Sequence, residues 1–199
     1  FMKFLKQKIK GVYLIKPNIF KDERGLFRRH FCNSEFYKNR VENKVKQANI
    51  SVNYKKGTLR GFHYQKKPFQ EDKSMSCLKG EIYDIVLDLR KKSKTYGKWL
   101  SFRLSEKNKY LLHIPKGCAN AFLTLKNNTI VHYYCSEFYN PTHECLVNYK
   151  DPIFKFKWPI KIKNISKKDN LSPFIKKLKY ENFSYWCHRF HRKKSYKIY

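Results

Sequence analysis

The sequence lacks any long apolar run. No window approaches the roughly 18 apolar residues that a membrane-spanning helix requires, so no transmembrane helix is expected. The first residues, Phe1, Met2 and Lys3, lead into a charged segment without the apolar core or small-residue cleavage site of a signal peptide. We therefore expect a cytoplasmic protein without a membrane partner.

Acidic residues are also scarce. The chain has 15 Asp and Glu against 45 Lys and Arg, which gives a formal net charge of +30 at pH 7. Such an excess often marks a protein that binds nucleic acid or another polyanion. Here the lysines are spread along the whole chain, as in a general compositional bias, and we do not expect nucleic acid as a partner.

The basic excess is greatest near the end of the chain. From Lys161 onward there are twelve Lys or Arg against only Asp169 and Glu181. We predict one domain over residues 1–180 and a basic tail over 181–199. A solvated tail and a polyanion-binding tail are both compatible with this composition.

Paired cysteine motifs are absent. The six cysteines occur at irregular spacings and include no C-x-x-C pair. A disulfide framework is typical of short secreted chains, so we expect ordinary thiols.

What the sequence does contain is a series of short alternating segments. In EIYDIVLDL at 81–89, alternate residues fall on opposite faces, which is the period of a half-buried strand. Similar segments, separated by turn signals, occur at 73–78, 99–104, 110–114 and 130–139. Short strands at this spacing predict an all-β domain, a sandwich or barrel of antiparallel strands with a few short helices.

Helical signals are confined to two places. One covers 34–43, with Ser34 as the expected N-cap, and the other follows Ser166. The second contains Asp169 in an S-x-x-D pattern, which is a helix capping box. A capping role is therefore one interpretation of Asp169.

The strand at 57–65 (GTLRGFHYQ) holds one half of a metal-binding pattern of jelly-roll proteins. In a regular strand His63 and Gln65 share a face, and Arg60 points the other way. A cupin-type metal site needs a second imidazole where Gln65 stands, and its second half-motif needs histidine where Asn120 stands. Too few nitrogen ligands remain for a transition metal, so we expect no metal. Acid–base chemistry and simple ligand binding both fit a barrel of this kind.

Several motifs, in a fixed order, now resemble one family. They are DERGLF at 22–27, QANIS at 47–51, GTLRGFHYQ at 57–65, GEIYD at 80–84, YGKW at 96–99, IPKG at 114–117, YNP at 139–141, DP at 151–152 and WP at 158–159. Together they resemble the dTDP-4-dehydrorhamnose 3,5-epimerase family over about residues 10–175. The resemblance implies a cupin-type jelly-roll barrel, a homodimer with exchanged N-terminal strands, and no cofactor.

The resemblance also implies a set of catalytic residues. His63 matches the base of the family, Asp169 the carboxylate that polarises it, and Tyr133 the proton donor. Lys73 matches a lysine near the C4 oxygen of the sugar, where an ammonium stabilises an enolate. The implied reaction inverts C3 and C5 of a dTDP-linked 4-keto-6-deoxy sugar, because the ketone acidifies the hydrogens at both carbons.

Binding residues follow from the same motifs. Arg24 and Arg60 match contacts to the diphosphate, for which guanidinium groups are well suited. Phe27 matches a residue near the nucleobase, and Gln47 and Asn49 match polar contacts in the cavity.

The chain departs from the family pattern at two of these sites. Arg29 stands where glutamate is frequent, and Asn120 lies beside the substrate where histidine is frequent; an amide can donate a hydrogen bond but cannot carry charge. An epimerase that inverts a single centre, one that acts on another nucleotide sugar, and a barrel that only binds a nucleotide sugar or polyanion therefore stay open.

Overall fold

Short strands dominate the regular secondary structure, as the alternating pattern predicts. The computed structural model describes residues 1–175 and contains fourteen β-strands and two short helices within them. The strands are β1 (Met2–Lys6), β2 (Tyr13–Pro17), β3 (Ile19–Asp22), β4 (Gly25–Arg28), β5 (Gln47–Asn53), β6 (Thr58–Gln65), β7 (Lys73–Lys79), β8 (Glu81–Asp88), β9 (Trp99–Ser105), β10 (Leu111–Ile114), β11 (Cys118–Thr124), β12 (Thr129–Cys135), β13 (Glu144–Leu146) and β14 (Asn164–Ile165). The helices are α1 (Asn33–Lys38) and α2 (Lys167–Asn170).

Two sheets face each other to form a jelly-roll barrel. The first has the strand order β1-β2-β10-β7-β12-β5, and the second has the order β13-β6-β11-β8-β9, with β14 added parallel to β6. The other neighbouring pairs in both sheets are antiparallel. β3 and β4 form a separate hairpin. The prediction of an all-β jelly roll is confirmed.

Three apolar clusters hold the sheets in place. One lies between the sheets and joins Met75 and Val131 of the first to Val86 and Leu104 of the second. A second covers the outer face of the second sheet, where Phe62 stacks on Phe156 from the irregular segment after β13. A third packs α1 against the outer face of the first sheet. The two central strands of the second sheet, β8 and β11, are buried on nearly all of both faces. The prediction of a strand at 81–89 is confirmed, but half-burial is wrong, because the second cluster covers its outer face.

The first predicted helix is too long and has the wrong cap. α1 ends at Lys38, and its N-cap is Cys32, which makes no side-chain capping hydrogen bond. The chain leaves the helix where Arg40 adopts a φ of 55°. That turn carries Val41 into the cluster around Phe36, so tertiary packing ends the helix early. The strand predicted at 130–139 is likewise shorter and ends at Cys135.

The helix predicted after Ser166 is confirmed as α2. Ser166 is its N-cap, and its hydroxyl accepts a hydrogen bond from the backbone N–H of Asp169. Only four residues long, α2 is held by its cap and by Asn148, whose amide donates to the carbonyl of Asn170. It serves to place the Asp169 side chain.

The predictions on cysteines, membrane helices and the C-terminal tail have different outcomes. The thiols of Cys32, Cys77, Cys118 and Cys135 are free, whereas Cys145 is disulfide-bonded, so the prediction of thiols throughout is wrong at that residue. Within residues 1–175, no helix is both long and apolar enough to cross a membrane. The boundary at 180 and the tail over 181–199 lie outside the described residues and stay predictions.

A bulge at Gly61 sets the geometry of β6. His63 pairs with Asn120 and Arg60 with Phe122, so Gly61 and its neighbour lie opposite a single residue of β11. Gly61 has a φ of +115°, and a Cβ there would lie 2.5 Å from the carbonyl oxygen of Asn120. Only glycine fits this position.

We expect Gly61→Ala to lower the free energy of unfolding by about 3 kcal/mol or more, because the added methyl group meets backbone atoms that cannot move aside. Gly25→Ala is the control, since Gly25 also has a positive φ but nothing within 4 Å of its Cβ position. That variant should lose only about 1 kcal/mol. Urea unfolding measures both, and equal losses would contradict the steric argument.

Candidate active site

The barrel encloses a cavity between the two sheets. It consists of two adjoining pockets of about 300 Å³ each, and His63, Lys73 and Tyr133 line both of them. His63 belongs to the second sheet, whereas Lys73 and Tyr133 belong to the first. A small molecule held there would meet the imidazole on one wall and the phenol on the other.

His63 is paired with a buried carboxylate. Its Nε2 lies 2.8 Å from Oδ1 of Asp169, whose side chain is only 4% exposed. Oδ2 of Asp169 accepts the backbone N–H of Gly61 at 3.2 Å, so one carboxylate fixes both the imidazole and the bulge beside it. The capping and pairing interpretations of Asp169 both hold, because its backbone caps α2 while its side chain faces His63.

The charge of Asp169 decides which nitrogen of His63 carries the proton. Burial alone raises the pKa of Asp169, but the hydrogen bond and charge of His63, together with Gly61, outweigh it and hold the pKa below its usual value. The group is therefore a carboxylate at neutral pH, which can only accept hydrogen bonds. Nε2 must donate to it, and Nδ1 of the neutral ring is left free to accept a proton.

Lys73 places a buried ammonium group in the cavity. Its Nζ lies 3.3 Å from Oδ1 of Asn120 and 3.4 Å from Oε1 of Glu71, and the side chain is 15% exposed. Burial lowers the pKa of Lys73, but the negative charge of Glu71 and the neighbouring thiol and phenol groups raise it above its usual value. The group is thus charged throughout the physiological range.

Tyr133 lies beside that ammonium. The Nζ of Lys73 is 5.6 Å from the centre of the Tyr133 ring, within reach of a cation–π contact. Burial raises the pKa of Tyr133 above its usual value, although the charge of Lys73 opposes the shift. The phenol is therefore protonated at neutral pH and can donate its proton.

The predicted binding residues Gln47, Asn49 and Arg60 also line the cavity. Gln47 and Asn49 share a face of β5, with the amide of Gln47 3.4 Å from Oδ1 of Asn49. The expectation that Arg60 points away from His63 is wrong, because the bulge at Gly61 shifts the alternation by one residue. Arg60 donates from Nε to Oδ1 of Asn53 at 2.7 Å, which leaves its two terminal nitrogens for a ligand.

Arg24 and Phe27 are not brought to this cavity within one chain. Both lie on the β3–β4 hairpin, where the Arg24 side chain is 85% exposed and pairs with Asp22. Phe27 is 69% exposed. Neither lines either pocket.

Gln65, one of the two positions where a cupin-type metal site would need histidine, has a structural role. Gln65 is buried, and its side-chain amide donates to the carbonyls of Phe69 and Phe138 while it accepts the N–H of Asn140. It therefore joins two loops at the cavity rim. Within residues 1–175 no three His, Cys, Asp or Glu side chains are grouped so as to hold a metal ion.

Sequence reasoning missed several acidic residues around the cavity. Glu71 pairs with Lys73, and Glu144 accepts hydrogen bonds from Tyr139 and from Lys168, the residue next to Asp169. Asp84 is fully buried on β8. Glu71 lies two residues before Lys73 in the sequence, and Asp84 lies within an apolar strand, so both could have been noted as candidates. Only the fold shows that Glu71 faces Lys73 and that Asp84 faces Asn120.

A jelly-roll barrel with a histidine–carboxylate pair on one wall, and a protonated tyrosine and a buried ammonium on the other, belongs to the acid–base isomerases of the cupin type. More specifically, the chain belongs to the dTDP-4-dehydrorhamnose 3,5-epimerase family. The family model with that description matches residues 6–177. The resemblance drawn from the motifs is thereby confirmed.

Individual relatives agree with this family. The chain is 38% identical to a dTDP-4-dehydrorhamnose 3,5-epimerase from Methanothermobacter thermautotrophicus, over 84% of this chain and 91% of that protein. The fold matches the crystal structure of such an epimerase from Bacillus anthracis with TDP and PPi bound, with a TM-score of 0.85 and 34% identity, over 87% of this chain and 99% of the other. It also matches a 3′-monoepimerase from Streptomyces bikiniensis in complex with dTDP-quinovose, with a TM-score of 0.80 and 30% identity, over 84% and 85% of the two chains.

Proposed function

We propose that this protein inverts C3 and C5 of dTDP-4-dehydro-6-deoxy-glucose and so produces dTDP-4-dehydro-rhamnose. The observation that carries the proposal is the His63–Asp169 pair on one wall of the cavity, opposite the protonated Tyr133. Proton removal on one face of a sugar carbon and proton return on the other need this arrangement of base and acid.

The first step uses the free Nδ1 of His63. This nitrogen takes the proton from a carbon next to the C4 ketone, and the electron pair of the broken C–H bond moves into the enolate. The imidazolium that results faces the carboxylate of Asp169, which stabilises its charge and holds the ring in place. Lys73 stabilises the negative charge that develops on the C4 oxygen.

The second step uses Tyr133. Its phenol gives a proton to the opposite face of the same carbon, and the enolate collapses to the inverted ketone. Lys73 contacts the Tyr133 ring and stabilises the transient phenolate. Exchange with solvent then restores both the phenol and the neutral imidazole, so the cycle needs no cofactor.

The remaining predicted residues would hold the nucleotide. We assign the diphosphate to Arg60, whose terminal nitrogens are free to bind phosphate oxygens, and polar contacts in the cavity to Gln47 and Asn49. We place Asn120, which also lines the cavity, beside the sugar.

Epimerisation at a single centre is the second candidate. The likeness to a 3′-monoepimerase favours it, and so do the departures at Arg29 and Asn120. A barrel that only binds its ligand, whether a nucleotide sugar or a polyanion, is less well supported, because binding alone does not need a carboxylate-paired imidazole opposite a phenol.

We further propose that the working form is a homodimer. The β3–β4 hairpin forms a sheet of its own and exposes Phe20 and Phe27, and the edge strand β5 exposes Ile50 and Val52. A second copy that covers these apolar residues would also bring Arg24 to its neighbour's cavity. We place the reaction in the cytoplasm, where cells hold the nucleoside triphosphates from which nucleotide sugars are made.

The proposed reaction is tested by proton NMR of dTDP-4-dehydro-6-deoxy-glucose with the protein in heavy water. We expect deuterium to enter at both C3 and C5. His63→Ala should slow both exchanges by about 10²–10⁴-fold, because the base is gone. Tyr133→Phe should still exchange hydrogen but form little inverted product.

Exchange at one carbon alone would support the single-centre reaction. Exchange at neither carbon, with protein that binds dTDP, would contradict the proposed reaction. Lys94→Ala serves as the control, since Lys94 is exposed in the loop between β8 and β9 and lines neither pocket.

Sharing of residues across the dimer is tested by mixing two impaired variants, Arg24→Ala and His63→Ala. A mixed dimer contains one cavity with both an intact His63 and an intact Arg24 from the partner. Random exchange of subunits should therefore restore about a quarter of the wild-type activity. A wild-type mass equal to the single-chain 24.2 kDa in light scattering, or no recovery on mixing, would contradict the proposal.

A further inference from the structure

Asp84 is a buried carboxyl group directly beneath the cavity. It lies on β8, is completely inaccessible, and pairs across the sheet with Phe122 and Phe102. Its Oδ2 accepts the side-chain amide of Asn120 at 3.0 Å. Its Oδ1 has no hydrogen-bond partner within residues 1–175. A polar group in this position is costly to bury, so a purely structural role is a poor account of it.

Asn120 connects Asp84 to Lys73. Its amide nitrogen donates to Asp84 and lies 3.4 Å from the sulfur of Met75, while its carbonyl oxygen accepts from the Lys73 ammonium at 3.3 Å. An amide has one donor end and one acceptor end. If the amide turned over, its NH₂ group would face the ammonium, which can only donate hydrogen bonds. In the observed orientation Asp84 anchors the NH₂ end of Asn120, and the carbonyl end faces Lys73.

We propose that Asp84 is a positioning residue for the epimerisation: through the amide of Asn120, it holds the Lys73 ammonium at the place where the enolate oxygen develops. The proposal rests on the proposed function for its catalytic consequence, and the contact itself can be tested without substrate. Small losses of alignment at such a contact lower the rate strongly, because stabilisation of the transition state depends on position.

The charge state of Asp84 suits this task. Burial raises its pKa to about 8, although the hydrogen bond from Asn120 and the charge of Lys73 oppose the shift. Asp84 is therefore neutral at pH 7 and adds no second negative charge to that of Glu71 beside Lys73. Above about pH 8 it becomes a carboxylate, and a negative charge beneath the cavity disfavours the enolate.

The strands around Asp84 contribute several other titratable groups. β7 contributes Lys73, and β12 contributes Tyr133, both with pKa values above their usual ones. β11 contributes Cys118, whose pKa burial raises to about 12. β8 itself contributes Asp88; burial raises its pKa, but hydrogen bonds from Arg90, Ser93 and Thr95 outweigh burial and lower the pKa to about 2. β9 presents Leu100, Phe102 and Leu104, and β6 presents His63, next to Asn120.

Asn120, which connects Asp84 to Lys73, is one of the two positions where this chain departs from the family pattern. Histidine is frequent at this place in the family that the motifs resemble, and an imidazole can take up a charge. An amide cannot, so the pair beneath Lys73 stays neutral in this protein at pH 7. The amide at position 120 and the protonated carboxyl group of Asp84 therefore form a hydrogen-bonded pair without net charge.

The test compares Asp84→Leu with Asp84→Asn. Leucine removes the acceptor for Asn120, and we expect kcat at pH 7 to fall about tenfold with little change in KM. Asparagine keeps a carbonyl oxygen toward Asn120 and should restore most of kcat. The wild-type kcat should decline above about pH 8, where Asp84 ionises, whereas Asp84→Asn should show no decline there.

Wild-type kcat in Asp84→Leu, or the same alkaline decline in Asp84→Asn, would overturn the proposal. A second readout needs no substrate: the ¹H–¹⁵N signal of the buried Lys73 ammonium, assigned with Lys73→Met. It should persist in Asp84→Asn and vanish in Asp84→Leu, and its persistence in Asp84→Leu would refute the contact. If the wild type proved inactive on the dTDP sugar, the proposed function alone would fail, and this signal would still decide the contact.

Discussion

The candidate site depends on one buried carboxylate. Asp169 accepts hydrogen bonds from the imidazole of His63 and from the backbone of Gly61, and thus ties the base to the bulge that directs it into the cavity. The carboxylate arrives from α2, a helix too short to be stable alone, whose cap is Ser166. Local capping, strand irregularity and the acid–base pair are consequently parts of a single arrangement.

Electrostatics inside the barrel differ from those of the whole molecule. The chain has a formal charge of +30, yet around the cavity the cations are matched: Lys73 by Glu71, and Lys168 by Glu144. Arg60 is hydrogen-bonded to the neutral Asn53 and retains its charge for an anionic ligand. The positive composition of the surface therefore says little about the chemistry, which is determined by a few groups held away from water.

The sequence allowed the architecture to be predicted, but not the irregularities that make the site. The alternation at 81–89 is a property of neighbouring residues, and a strand does run from Glu81 to Asp88, although it is buried on both faces and not on one. The pairing of His63 with Asp169 joins residues 106 positions apart, and only the family resemblance indicated it. The predicted direction of the Arg60 side chain was wrong because β6 has a bulge at Gly61. That bulge depends on the opposite strand, where the backbone of Asn120 leaves no room for a side chain at Gly61. Asp84 looked like an ordinary strand residue, since its burial and its contact with Asn120 exist only in the folded chain.

The central claim is that Asp169 fixes His63 as a base that acts through Nδ1, and the protonation of its two ring nitrogens tests this most directly. Two-bond ¹H–¹⁵N spectra of histidine-labelled protein, with His63→Ala for assignment, distinguish the two neutral forms of the ring. The account predicts that Nε2 carries the proton and Nδ1 does not, and that Asp169→Asn disturbs this preference. A neutral ring with its proton on Nδ1 in the wild type would contradict it, because the nitrogen facing the cavity could then not accept a proton from the sugar.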